Sequence, residues 1–385
     1  MKTNVKRQND RRRRKEYGRR VIFMKLYDGI KMVDSHVHIR DYKSLDFLDN
    51  YLKNYGLDKI NVVSLACKDE SEITQNILCA LFKLKYPENV YTYGSLMYPY
   101  YPLDNKIPEN YNFVDQVKTL MDIGFDGIKM LEGKPTLRKK IGVPLDSPIY
   151  DDYYSYLEEQ GIHIIFHAAD PETFWNKDTA PEFSFEQGWF YGDGTFPEKE
   201  TIYKEIDGVL NKFPRLRVSF AHFYFLSNYL ERAKAFLNEW ENVSLDITPG
   251  REMYDNFSKR APEWKNFFTK YQDRIIFGTD MEDSMFQGGP ADIIDTIRRF
   301  IETGDKFNNW GFKINGLGLD KDVIDKVYYK NFESYAGKLP KKINIDRLLE
   351  ECQRIKEIAI VKTDLNKYVQ EIDKVVDAIK GIGIL

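Results

Sequence analysis

The chain has 385 residues, a net charge of −3, 42% hydrophobic and 30% charged residues, and a high aromatic share of 15%. This is the profile of an ordinary folded protein, long enough for a barrel domain of about 250 residues with extensions. It holds no run of about 18 apolar residues, which excludes a membrane-spanning helix, and Val21-Ile22-Phe23-Met24 is too short for a signal-peptide core, so a cytoplasmic location is expected. Cys67, Cys79 and Cys352 are too widely spaced for a disulfide framework or a thiolate zinc site.

Residues 1–23 form a basic arm. Ten Lys/Arg against Asp10 and Glu16 in its first twenty residues give a local charge of +8 and leave the body acidic at −11. Without apolar periodicity such an arm reads as a disordered, solvated tail rather than a nucleic-acid site. Beyond it, β-rich apolar runs alternate with helical-period stretches, the pattern of βαβ units around a parallel sheet. Strands are expected at Lys31–Ile39, Lys59–Cys67, Val90–Met97, Phe125–Leu131, Ile162–Ala168, Arg217–Phe223, Val243–Ile247 and Arg274–Asp280. Amphipathic stretches fall at Ser71–Lys85, Asn112–Ile123, Tyr150–Gln160, Glu198–Lys212, Asn228–Glu239 and Ala291–Thr303. The expected fold is an α/β (β/α)8 TIM barrel over residues 24–337. Residues 338–385 follow as a C-terminal helical extension, with helices near Ile345–Ile358 and Asp364–Ile379, that serves packing or homo-oligomerisation.

Ionisable residues stand where the strands break into loops: His36, His38, Lys129, His167, His222, Asp246 and Asp280. In a (β/α)8 barrel chemistry sits at the carboxyl ends of the strands. Histidines at i and i+2 of a strand share a face, so His36 and His38 offer two imidazoles to one cation. Only five histidines occur, and four of them lie at strand ends; the fifth, His163, lies at the start of its strand, where a core role is expected. Asp280 adds a carboxylate able to ligate a metal and to take a proton from water. Imidazoles with one carboxylate suit Zn²⁺, with Mn²⁺, Fe²⁺ or Co²⁺ tolerated.

The ordered motifs Asp34-Ser35-His36-Val37-His38, Gly127-Ile128-Lys129-Met130, Ile165-Phe166-His167, Ala221-His222 and Phe277-Gly278-Thr279-Asp280 resemble the amidohydrolase superfamily, and within it the amidohydrolase-2 branch of hydrolases and decarboxylases. The likeness runs from about Met32 to Gly337. It implies His36, His38, His167 and Asp280 as ligands of one divalent ion, with one more usual in this branch than two. His222 is implied either as a ligand of a second metal or as the group that polarises substrate and guides protons. Lys129 stands where some relatives carry a carboxylated lysine bridging two metals, and an ordinary ammonium holding an anionic substrate is the other reading. Asp34 and Asp170 are open as acceptors for imidazole N–H groups or as loop caps.

Lys134, Arg138, Lys139 and Lys140 after the fourth strand read either as a solvated loop or as anion recognition, and Arg251 after the seventh is suited to a substrate carboxylate or phosphate. The long loop from Pro171 to Lys199 carries Phe174, Trp175, Phe183, Phe185, Trp189, Phe190, Tyr191 and Phe196, which places Trp175, Trp189 and Tyr191 as pocket cover or as rim packing. The expected function is metal-assisted hydrolysis of an amide, ester, lactone or related bond in a small substrate, anionic or aromatic, with Asp280 and His222 as catalytic residues. Non-oxidative decarboxylation of an aromatic or unsaturated acid is the alternative, and a non-catalytic binding or scaffold barrel the reading of another class.

Overall fold

Every residue of the first strand, Val33–His38 (β1), is buried, as befits a parallel sheet covered on both faces. In this computed structural model, residues 29–103, 107–283 and 289–382 are described, so the expected basic arm lies outside the described residues. From Lys31 onward the chain is one compact unit.

Seven more strands follow in order: Lys59–Val63 (β2), Val90–Gly94 (β3), Gly127–Gly133 (β4), Ile164–Ala168 (β5), Val218–Phe220 (β6), Val243–Asp246 (β7) and Ile275–Ile276 (β8). They pair in parallel, each with its sequence neighbour. Closure between first and last is made by loop backbone beyond β8: Ser35 N–H donates to Phe277 O (3.1 Å), Asp280 N–H to His36 O (2.9 Å) and His38 N–H to Met281 O (2.8 Å). The TIM barrel expected from the alternating pattern is therefore the fold. Helices such as Gln75–Lys85, Phe113–Ile123, Asp151–Gln160, Lys199–Lys212, Leu230–Glu239 and Gly289–Glu302 alternate with the strands.

The last strand departs most from expectation, with two residues in place of seven. A Cβ built on Gly278 would meet Thr248 Oγ1 at 2.6 Å and His36 Cβ at 3.0 Å. The chain beyond β8 thus hugs the base of His36, an approach only glycine tolerates, and then turns sharply at Asp280, whose φ is +58°. A two-stranded antiparallel hairpin, Lys306–Asn309 with Phe312–Asn315 (β9 and β10), was not anticipated. Its Trp310-Gly311 corner has positive φ at both residues, a turn geometry common in two-residue hairpins.

Two helices, Ile345–Val361 and Val369–Ile382, end the described chain. Asn344 caps the first by accepting from Arg347 N–H, and Thr74 donates to Glu371 on the second at 2.6 Å. The first packs on the barrel's outer helices Gln75–Lys85 and Phe113–Ile123, and the second on Gln75–Lys85. Among the described residues no helix is long and apolar enough to cross a membrane, and the three cysteines are buried and unpaired.

Candidate metal centre and substrate cavity

Three strand ends leave the sheet through non-glycine residues in the left-handed region: Ala169 after β5, the run His222 to Phe225 after β6, and Asp280 after β8. Each such residue costs on the order of 1 kcal/mol. The strain is concentrated where His167, His222 and Asp280 are presented to one cavity of about 390 Å³, a size suited to a small molecule.

His36, His38 and Asp280 form the one group of three ligand-type side chains found among the described residues, each offering an atom within 4.8 Å of the others. His38 Nε2 lies 2.9 Å from Asp280 Oδ1, and His36 Nε2 lies 3.6 Å from it. Tetrahedral ligands around zinc, at bonds of about 2.0–2.1 Å, stand about 3.4 Å apart, so the spacing fits a common cation. The protonation states fit as well. His36 Nδ1 is 3.0 Å from Asp246 Oδ2, and because an ionised carboxylate only accepts, Nδ1 carries the proton and Nε2 keeps its lone pair for the site. Burial, with the nearby Lys129 charge, lowers the His36 pKa to about 4, so the ring is neutral, as a ligand must be. Burial would raise the Asp280 carboxyl, but the hydrogen bond from His38 and the surrounding histidines hold it well below the usual range. His38 Nδ1 is buried without a hydrogen-bond partner.

Lys129 Nζ sits 2.9 Å from His36 Nε2, and burial lowers its pKa to about 8 despite the nearby Asp280 and Asp246. His167 lines the same cavity, yet its Nε2 faces Asp170 Oδ1 at 3.1 Å, so the geometry leaves it outside the three-residue group. His222 also lines the cavity. Its Nδ1 reaches the Thr248 carbonyl at 3.3 Å, which only accepts, so Nδ1 is the N–H and Nε2 is the atom free for the cavity.

Asp246 was noted as a strand end but given no role. It is the acceptor for His36 Nδ1 and also for the His222 and Thr248 backbone N–H groups, so one buried carboxylate sets two of the site's elements. Its position at the end of β7 was the available signal. Asp34 contacts no imidazole. It accepts from the backbone N–H groups of His36 and Thr279 and from the hydroxyls of Thr279 and Tyr51, tying the ends of β1 and β8 together. Asp170 does hold an imidazole, along with Lys134 at 2.8 Å and the Tyr191 hydroxyl at 2.5 Å.

Of the three aromatic residues assigned to substrate, Trp189 lines the cavity. Trp175 and Tyr191 are not in its wall. Tyr191 is fully buried on Asp170, and Trp175 packs on it at 4.8 Å between ring centres while donating to Pro197 O. The basic stretch also divides: Lys134 and Lys140 line the cavity, whereas Arg138 forms a bidentate pair with Glu205 and Lys139 donates to Thr195. Arg251 opens the helix Arg251–Lys259, and its side chain lies outside the described part of the structure. His163 is a core residue, its Nδ1 on Tyr93 Oη (2.8 Å) and Nε2 on Ser219 Oγ (2.7 Å).

Fold and site together define a TIM barrel with a candidate metal centre at the carboxyl ends of its strands. The Amidohydro_2 family model, described as amidohydrolase, matches residues 108–331, more than half of the chain, and the protein belongs to that family, which is metal-dependent. No curated protein sequence matches the chain. Among solved structures it is similar to the IDCase of Metarhizium anisopliae, at 13% identity and a TM-score of 0.53 over 80% of this chain and 97% of that one. It is similar to 2,6-dihydroxybenzoate decarboxylase from Rhizobium, at 12% identity and 0.51 over 80% and 98%. A third is an uncharacterized TIM-barrel protein from Bordetella bronchiseptica, at 14% and 0.52 over 80% and 99%. At these identities the likeness establishes the fold.

Proposed function

We propose that this chain is a metal-dependent hydrolase of a small molecule bound in the cavity, working on an amide, ester, lactone or related bond. The observation that carries the reading is the group of His36, His38 and Asp280, two imidazoles and a carboxylate at one carboxyl-end site. These residues would hold a divalent ion, zinc before manganese, iron or cobalt, with His167 joining only by leaving Asp170. The ion, when bound, supplies a Lewis acid that acidifies water. Asp246 fixes the tautomer of His36 and aims its Nε2. Asp280, ionised across the working pH range, accepts the proton of the attacking water. His222, its Nδ1–H held by the Thr248 carbonyl, turns the lone pair of Nε2 to the cavity; that nitrogen takes on the proton Asp280 receives from the water and, once protonated, stabilises the oxyanion or protonates the leaving group. Trp189 and Gln187 cover the cavity from the long aromatic loop and limit water.

Decarboxylation of an aromatic or unsaturated acid is the second reading. Its support is the cationic lining of the cavity by Arg40, Lys68, Lys129, Lys134 and Lys140, with Lys134 over the Trp189 ring at 4.4 Å. Products separate the two: incorporation of labelled solvent oxygen into product supports hydrolysis, and carbon dioxide release without it supports decarboxylation. A barrel that binds metal and ligand yet turns nothing over would be the non-catalytic alternative. Two ions per chain instead of one would bring Lys129 and His222 into the ligand set, with Lys129 carboxylated. A homo-oligomer is compatible with this reading, and size-exclusion chromatography with light scattering decides it.

A further inference from the structure

Each cation of the basic stretch after β4 is fixed to a different segment of the rim. The short helix Pro135–Ile141 carries three of them, and Lys134 stands at its N-cap. Arg138 holds Glu205, on the helix Lys199–Lys212, through a bidentate pair. Lys140 donates to Asp69 at 2.6 Å and lies 4.2 Å from the centre of the Tyr101 ring, so it ties the loops after β2 and β3. Lys139 donates to Thr195 at 2.6 Å and lies 4.0 Å from the centre of the Phe196 ring. Lys134 lies 4.4 Å from the centre of the Trp189 ring and donates to both oxygens of Asp170, at 2.8 and 3.1 Å.

Two of these grips fall on the aromatic loop of residues 171–199, whose rings pack largely on one another. Phe174 meets Phe183 at 5.8 Å between ring centres, Phe185 meets Phe190 at 4.6 Å, and Phe183 and Phe185 stay nearly half exposed. A segment that buries so much of its apolar surface within itself opens locally at little cost, and the contacts at its inner edge decide where it rests. At that edge Asp170 accepts the Tyr191 hydroxyl at 2.5 Å from the loop and Lys134 from the barrel. Trp189, two residues before Tyr191, faces the same ammonium. The Lys134 side chain is largely buried, where a cation held over a ring is attracted more strongly than in open water. One ammonium thus joins the carboxylate that anchors the loop to the indole that lines the cavity.

We propose that Lys134 is the positioning residue of the cavity cover: held on Asp170, its ammonium seats Trp189 over the opening, and without it residues 182–196 lift away. The inference rests on the reading that this cavity is the reaction site, and it gives Lys134 a task within the protein itself. A molecule entering the cavity then meets an indole with a defined place, and water is limited by a seated cover. Arginine at this position keeps both contacts, because a guanidinium also bonds a carboxylate and stacks on a ring. Methionine fills a similar volume and keeps neither.

The test reads Trp189 in the full chain as the fluorescence that disappears in Trp189→Phe, and quenches it with acrylamide. Lys134→Met raises the quenching constant of that signal about three-fold or more, and amide hydrogen exchange in residues 182–196 quickens at least about ten-fold while the helix Leu230–Glu239 is unchanged. Lys134→Arg keeps the wild-type quenching and exchange. Lys139→Met, which leaves Lys134 on Asp170, does not move the Trp189 signal. A Lys134→Met chain whose Trp189 stays as shielded as in the wild type, or whose exchange rises equally in both segments, overturns the proposal. None of these readings involves metal or turnover. Release of Trp189 by Lys134→Met in a chain that hydrolyses nothing would remove the hydrolase reading and leave this one standing, and a hydrolase whose Trp189 ignores Lys134 would do the reverse.

Discussion

His163 and His167 stand four residues apart at the two ends of one strand and live in opposite regimes. At the amino end, His163 has both ring nitrogens satisfied by Tyr93 and Ser219 and its face stacked on Tyr335 at 4.1 Å between centres. At the carboxyl end, His167 faces Asp170 and shares a cavity with His38, His222, Lys129 and Asp280. The floor satisfies both nitrogens of its histidine. The mouth gathers charges, left-handed backbone and an unpartnered His38 Nδ1. Residue type alone therefore says little about a buried histidine, and what decides its part is whether its second partner is protein or open space.

The largest way to break this contrast is at the mouth. Asp280→Asn removes the charge that gathers the histidines, and turnover is expected to fall by about a thousand-fold or more with the melting temperature held or raised. Retained turnover in a metal-loaded variant would end the proton-acceptor role. Asp246→Asn, which loses the charged partner of His36 Nδ1, is expected to weaken metal affinity by about 10- to 100-fold, measured by competition with a chromophoric chelator. An unchanged affinity would show that His36 is oriented by something else.

On the floor the effects appear in stability instead. His163→Ala leaves Tyr93 and Ser219 without their partner and opens a void under Tyr335, for about 3 kcal/mol, with metal content unchanged; a metal deficit would mean the two ends are coupled. The pH dependence has a definite sign. His163 titrates well below the ordinary histidine value because of burial and then Arg217, so below pH about 6.5 the unfolded chain takes up a proton that the native one refuses. The stability this residue contributes is complete above that pH and is lost as pH falls. The stability difference between wild type and His163→Phe should therefore shift against the wild type on acidification, and a pH-independent difference in chemical denaturation would contradict it. The smallest effect is farthest from both ends: Asn344→Ala, at the cap of the helix Ile345–Val361, costs about 1 kcal/mol and changes neither metal content nor turnover.

The barrel was legible because strand and helix periods alternate cleanly and every central strand is buried. Seven of the eight strands lie within a few residues of expectation. β8 was overextended because Ile275-Ile276-Phe277-Gly278 has strand chemistry, whereas the close approach of Gly278 to His36 is a tertiary demand no local pattern carries. The members of the metal group were legible as strand-end residues. Their mutual geometry was not: that His167 turns to Asp170, that Asp246 serves His36 and that Asp34 ties β1 to β8 all depend on which side chain reaches which across the barrel. For Trp175, Trp189 and Tyr191 the sequence left pocket cover and rim packing open, because an aromatic-rich loop looks the same whether it lines a cavity or packs on itself; Trp189 lines the cavity, while Tyr191 and Trp175 pack within the loop.

Elemental analysis of the purified chain by inductively coupled plasma mass spectrometry reads out the cation at His36, His38 and Asp280. One divalent ion per chain is expected, lost in His38→Ala and in Asp280→Ala and kept in His163→Ala. An intact wild-type chain that holds no divalent ion after exposure to zinc or manganese, or an ion retained when His38 and Asp280 are both replaced, would contradict it.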